Sequence, residues 1–187
     1  MSSPISRSLL LRSALASAAL GAASFAAEGQ PGHAHHPAAT ATPGPCEAFI
    51  EGQPGKRFST QEIRVSSRCD LFTVHLVHTG RKPWQQAGHN WVLARSADID
   101  AVIASGMQAG PDRAWVPRGD ARVIAATQML SGGEHASVSF PVARLKAGEQ
   151  YTYYCSFPTH AEPMRGQLVL VDAAVPAGPS LAAAQNR

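Results

Sequence analysis

From Cys46 onward the chain is a succession of short β-prone runs separated by Gly, Pro and Asp, a rhythm that reads as an antiparallel sandwich or barrel. Phe72, Val74 and Leu76 alternate with Thr73, His75 and Val77, so three large apolar side chains fall on one strand face, which should be core. Similar runs occupy residues 57–66, 90–94, 121–126, 136–140, 150–155 and 167–171. Roughly seven or eight strands are expected. One segment breaks the rule. Residues 96–110 carry Ile99, Val102, Ile103 and Met107 at helical spacing, with Ser96 or Asp98 near the start as a cap, which predicts one short helical insertion in an all-β domain.

The 187 residues suffice for one core of ordinary size. Residues 1–26 stand outside it: Arg7 and Arg12 precede an Ala/Leu/Ser-rich apolar run that ends in small residues, as a secretory signal peptide does. That run is shorter than the roughly 20 apolar residues of a membrane span, so no span is expected. Residues 27–45, rich in Ala, Pro, Gly and His, read as a disordered linker, and residues 173–187 as a flexible tail. The folded domain is then 46–172. The linker holds His33, His35 and His36, which could bind a metal only if ordered. Because residues 1–26 contain two arginines and no acid, removing them lowers the net charge from +3 to +1. The remaining basic residues are scattered, which counts against nucleic acid and anionic lipid as partners.

Three cysteines in an exported chain leave one unpaired once a bridge forms. Cys46 and Cys69 are the natural pair, both in the first part of the domain beside strand-like segments. Cys155 is left over, as a buried thiol or as something with a task.

Cys155, His160 and Met164 fall within one short loop just after a strand, and each offers a nitrogen or sulfur donor. A turn shaped by Pro158 could aim all three at one point. His89 lies far upstream at the start of another strand. Two imidazoles, a thiolate and a distant thioether are the donor set of an electron-transfer copper site. Structural zinc prefers four strong ligands, and catalytic zinc an open position for water, so Met164 argues against both. A cysteine nucleophile paired with histidine would leave Met164 without a part.

The fragments Gly88-His89-Asn90-Trp91-Val92-Leu93 and Gln150-Tyr151 through Cys155-Ser156-Phe157-Pro158, with His160 and Met164 at the same offsets, resemble the azurins, blue copper proteins of the cupredoxin family. The likeness runs along most of residues 46–171 and includes Cys46 and Cys69, the helical insertion, Arg122-Val123-Ile124-Ala125 and the approach from Lys146 to Gln150. It implies a Greek-key β-sandwich, a Cys46–Cys69 disulfide and one copper ion per chain, cycling between Cu2+ and Cu+. It further implies His89, Cys155 and His160 as equatorial ligands, Met164 as one axial ligand and the Gly88 carbonyl on the opposite side. Backbone N–H groups of Asn90 and Phe157 would point at the Cys155 sulfur. The implied function is one-electron transfer in the periplasm, without catalysis, between redox proteins such as a c-type cytochrome or a copper reductase. Copper binding or delivery is the alternative. Nitrite or oxygen reduction would need a second copper, and no His-rich cluster on the folded part offers to hold one.

The likeness also implies that an edge of His160 reaches the surface within an apolar docking patch. Here the chain departs from the pattern: Ala87 stands where methionine is frequent, Thr159 where glycine is, and Glu162 and Pro163 where small or apolar residues are. Glu162 would bring a negative charge to that edge. His78 matches a partly buried histidine, either titrating near neutral pH or satisfied by its neighbours.

Overall fold

The computed structural model describes residues 44–172, so the expected leader, most of the linker with His33, His35 and His36, and the tail lie outside the described residues. Two sheets form a sandwich. One has the strand order β2-β1-β4-β7, built from β1 (Glu47–Gln53), β2 (Arg57–Phe58), β4 (Leu71–His78) and β7 (His135–Pro141). The other has the order β3-β9-β8-β5-β6, from β3 (Glu62–Ser66), β9 (Arg165–Val171), β8 (Tyr151–Tyr154), β5 (Val92–Arg95) and β6 (Val123–Ala126). The strand count reaches nine because the run 57–66 divides at its middle between the two sheets, and because β1 adds a strand.

Two pairings are parallel, β1 with β4 and β3 with β9, where an antiparallel ladder throughout was expected. The chain changes sheets between β2 and β3, so β1 and β3 take positions beside strands that run the same way. The alternation in β4 holds: Phe72, Val74, Leu76 and His78 are buried on one face. The three apolar residues meet Ile50, Trp91, Leu93, Phe140, Tyr153 and Leu168 in the core between the sheets. Trp91 is completely buried there, stacked between Phe140 and Tyr153 with ring centroids 6.4 and 5.8 Å away.

β5 is buried on both faces. Val92 and Ala94 turn outward, with Tyr154 of β8, onto a second apolar cluster containing Ile99, Val102 and Val116. The helical insertion supplies that cover. A 3₁₀ turn over Ser96–Asp98 leads into α2 (Ile99–Ala109), which follows a short helix α1 (Trp84–Ala87) earlier in the chain. Neither expected cap forms: Asp98 pairs with Arg95 at 2.8 Å, and the Ser96 hydroxyl meets Thr152 Oγ1 at 2.8 Å. Met107 does not join the buried face and is 50% exposed, because Gly106 makes the last contact of the helix. A Cβ on Gly106 would lie 2.2 Å from the Trp115 carbonyl oxygen.

Cys46 and Cys69 form a disulfide across a sequence separation of 23, tying the start of β1 to the turn before β4. In the chain-entropy account such a closure stabilises by about 3 kcal/mol. Replacing both cysteines by alanine should therefore lower the midpoint of thermal unfolding by on the order of 10 °C, measured by circular dichroism. An unchanged midpoint would show that the bridge adds nothing. No helix among the described residues is long and apolar enough to cross a membrane.

Candidate metal centre

β5 and β8 are neighbours, with Val92 opposite Tyr154 at the end of the pairing. The segments just beyond, before β5 and after β8, therefore meet at one pole of the sandwich. Asn90 fastens them together. Its Oδ1 accepts the Ser156 backbone N–H at 2.8 Å and its Nδ2 donates to Ser156 Oγ at 2.8 Å, across 66 residues of sequence. Ser156 Oγ in turn donates to the Ala114 carbonyl at 2.6 Å. His89 is held by a two-way backbone bridge to Leu130.

After Cys155 the chain turns back on itself. His160 N–H donates to the Phe157 carbonyl at 2.9 Å, Met164 N–H to the His160 carbonyl at 2.8 Å, and Cys155 N–H to the Met164 carbonyl at 3.0 Å. The loop thus closes on its own first residue, with Met164 fully buried at its end. Cys155 Sγ lies 3.9 Å from His89 Nδ1, 3.6 Å from His160 Nδ1 and 3.8 Å from the Gly88 carbonyl oxygen. Among the described residues, these two histidines and Cys155 are the group of His, Cys, Asp and Glu donors close enough to share an ion, with donor atoms within 4.8 Å of one another. Gly88 has no room for a side chain: a Cβ would lie 2.7 Å from the Trp84 carbonyl and 2.8 Å from Met129 Sδ.

Burial sets the protonation states of the cluster. Burial pushes the Cys155 thiol up to about 12, while backbone N–H groups of Asn90 and Phe157 point at the sulfur and pull the other way. Burial first, and then the neighbouring histidines His78 and His160, lower His89 to about 4. Burial first, and then the Lys56 ammonium and His78, lower His160 to about 4. Two neutral imidazoles are the protonation state that N ligation requires, while the Cys155 thiol must give up its proton to a metal at a cost set by its burial. A further consequence concerns pH. An imidazole at 6.5 when unfolded and about 4 when folded binds more protons in the unfolded state between those values. The metal-free protein should hold full stability above pH 6.5 and lose at most about 3 kcal/mol per imidazole as pH falls from 6.5 to about 4. Urea unfolding at pH 7.5 and 4.5 measures this, and equal midpoints would contradict neutral burial.

His78 packs on His89, ring centroids 4.1 Å apart, yet both of its nitrogens are engaged. Nδ1 accepts the Gly80 N–H at 3.0 Å and Nε2 donates to the Ala87 carbonyl at 2.7 Å, which fixes the orientation of the ring. Glu162 does not act as a lone negative charge, because it forms an ion pair with Arg165. Lys56 also stands beside the loop, where its Nζ donates to Thr159 Oγ1 at 2.9 Å. No sequence spacing signals that contact, which spans 103 residues. The surface edge expected of His160 is almost closed: the residue is 4% exposed.

An all-β sandwich whose pole gathers two imidazoles, a thiolate-forming cysteine and a buried methionine defines a mononuclear soft-metal carrier site. Comparison with known proteins agrees. A profile of the copper binding proteins of the plastocyanin/azurin family matches residues 47–171. The azurin of Bordetella pertussis strain Tohama I is 48% identical over 127 residues, which cover 68% of this chain and 85% of that protein. Azurin-1 of Alcaligenes xylosoxydans xylosoxydans is also 48% identical, covering 68% of this chain and 98% of the relative. A solved azurin (Az-iso2) from the methylotroph Methylomonas sp. strain J superposes with a TM-score of 0.65 at 45% identity, over 67% of this chain and 98% of that one. The chain belongs to the plastocyanin/azurin family of copper-binding proteins; it is a blue copper electron-transfer protein.

Proposed function

We propose that His89, Cys155 and His160 would hold the copper through the two Nδ1 atoms and Sγ, with Met164 and the Gly88 carbonyl as weaker donors. The observation that carries this reading is the convergence of the three buried donor atoms within 4.8 Å. When bound, copper supplies a one-electron couple between Cu(II) and Cu(I). The protein's own part is to keep the donors where they are in both oxidation states. Asn90 locks the His89 segment to the Cys155 loop, and the Cys155–Met164 backbone bond keeps that loop closed. The N–H groups of Asn90 and Phe157 would tune the sulfur by hydrogen bonding. Burial of His89, Cys155, His160 and Met164, the most exposed of them at 4%, favours a carrier over a substrate-binding centre.

The setting proposed is the periplasm. Residues 1–26 serve as the export signal, 27–45 as a linker, 46–172 as the copper domain and 173–187 as a tail. The partners are redox proteins such as a c-type cytochrome or a copper reductase. Mixing the Cu(I)-loaded protein with an oxidised c-type cytochrome tests this: the cytochrome is reduced while copper stays bound. Copper lost to a chelator without cytochrome reduction would favour delivery instead.

The part given to Met164 has its own test. Met164→Leu removes a weak donor that favours Cu(II), so copper and colour stay and the potential rises. A tenfold change in relative affinity corresponds to about 59 mV for one electron. Voltammetry reads the shift, and loss of copper would make Met164 a main ligand.

A further inference from the structure

The turn between β1 and β2 reaches across the sandwich to the ligand loop through the Lys56–Thr159 hydrogen bond. Both residues hold left-handed backbone, with φ of 61° and 65°, a conformation that non-glycine residues seldom adopt. The contact is therefore set by two strained turns, and it fixes an exposed ammonium next to the residue that precedes His160. Lys56 makes no ion pair among the described residues, whereas Glu162 and Arg165 neutralise one another. An open groove of about 370 Å³ adjoins the loop, between it and α2. Ile103, Phe157 and Pro158 line it, and half-exposed Met107 stands at its helix side together with Asp100.

We propose that this face receives a redox partner whose own docking surface is acidic, with Lys56 as the recruiting charge and the Met107 groove as the apolar contact. The inference rests on the electron-transfer reading and adds the chemistry of the partner. The net charge of the folded part is close to zero, so local charge governs the encounter, and Lys56 stands on the ligand loop itself whereas Asp100 lies on the helix side of the groove. An acidic rim meets Lys56 while the apolar groove supplies brief, weakly specific contact.

The test uses the full-length, copper-loaded protein and two small oxidants of opposite charge, ferricyanide and the tris(phenanthroline)cobalt(III) cation. Each takes one electron from the Cu(I) form, which becomes Cu(II). In wild type the ferricyanide rate should fall as ionic strength rises. Lys56→Glu should lower that rate about fivefold at low salt and raise the rate with the cobalt cation, the absorption spectrum being unchanged. Lys146→Glu, the same charge change in the turn before β8 and hence at the opposite pole, should leave both rates within about twofold of wild type. Equal effects of the two variants, or none from Lys56→Glu, would overturn the proposal. A second readout needs no electron transfer: oligoglutamate added to the Cu(I) protein should shift the amide resonances of Lys56, Thr159 and Met107, and not those of Lys56→Gln. If neither oxidant reacts, the electron-transfer reading falls, and the oligoglutamate shifts alone decide whether this face binds acidic partners.

Discussion

Cys155→Ser should give a folded protein that no longer develops intense visible absorption with Cu(II). The colour needs charge transfer from a thiolate, and a serine hydroxyl offers neither the soft sulfur nor its electrons. The fold should survive because the exchange is nearly isosteric and leaves the backbone bond from residue 155 to the Met164 carbonyl intact. Stability should fall by on the order of 1–3 kcal/mol, because Cys155 is completely buried and a hydroxyl there needs a hydrogen-bond partner. The measurement pairs a visible spectrum with circular dichroism. An intensely blue variant would show that the copper binds elsewhere.

Asn90→Ala should cost on the order of 2–4 kcal/mol and weaken copper binding together with stability. Two buried hydrogen bonds to Ser156 vanish, and the Ser156 N–H is left without an acceptor in a place water does not reach. The loss falls on the joint between the His89 segment and the Cys155 loop, so the donors should lose their fixed spacing. Urea unfolding of the metal-free and copper-loaded forms separates the two effects. The expected result is a larger destabilisation of the loaded form. Equal losses in both would reduce Asn90 to a structural residue.

Much of the fold was legible where a strand has one wet face. β4 shows this, since a period of two follows from burial on one side only. β1 was harder to read because Phe49 and Ile50 are adjacent and apolar, although only Ile50 enters the core while Phe49 stacks on His75 outside it. The parallel pairings depend on which sheet each strand joins, and no local pattern carries that choice. Helical spacing located α2 but not its buried face at the C-terminal end, where Gly106 packs backbone against backbone and turns Met107 outward. Cys155, His160 and Met164 stand in one loop, and their donor chemistry is local, which made that part of the site readable. Glu162 and Arg165 are three residues apart, a spacing that could have suggested their pairing. Lys56 carried no such signal, because its position over the loop depends on the whole sandwich.

The central claim is that one copper ion, held by this buried cluster, gains and loses an electron without leaving the protein. Redox cycling of the copper-loaded chain tests it most directly. One equivalent of Cu(II) should produce intense blue absorption, one electron equivalent of reductant should bleach it, and reoxidation should restore it over repeated cycles with a Cu(I) chelator present in solution. A protein that stays colourless, or that yields its copper to the chelator on the first reduction, would contradict the account.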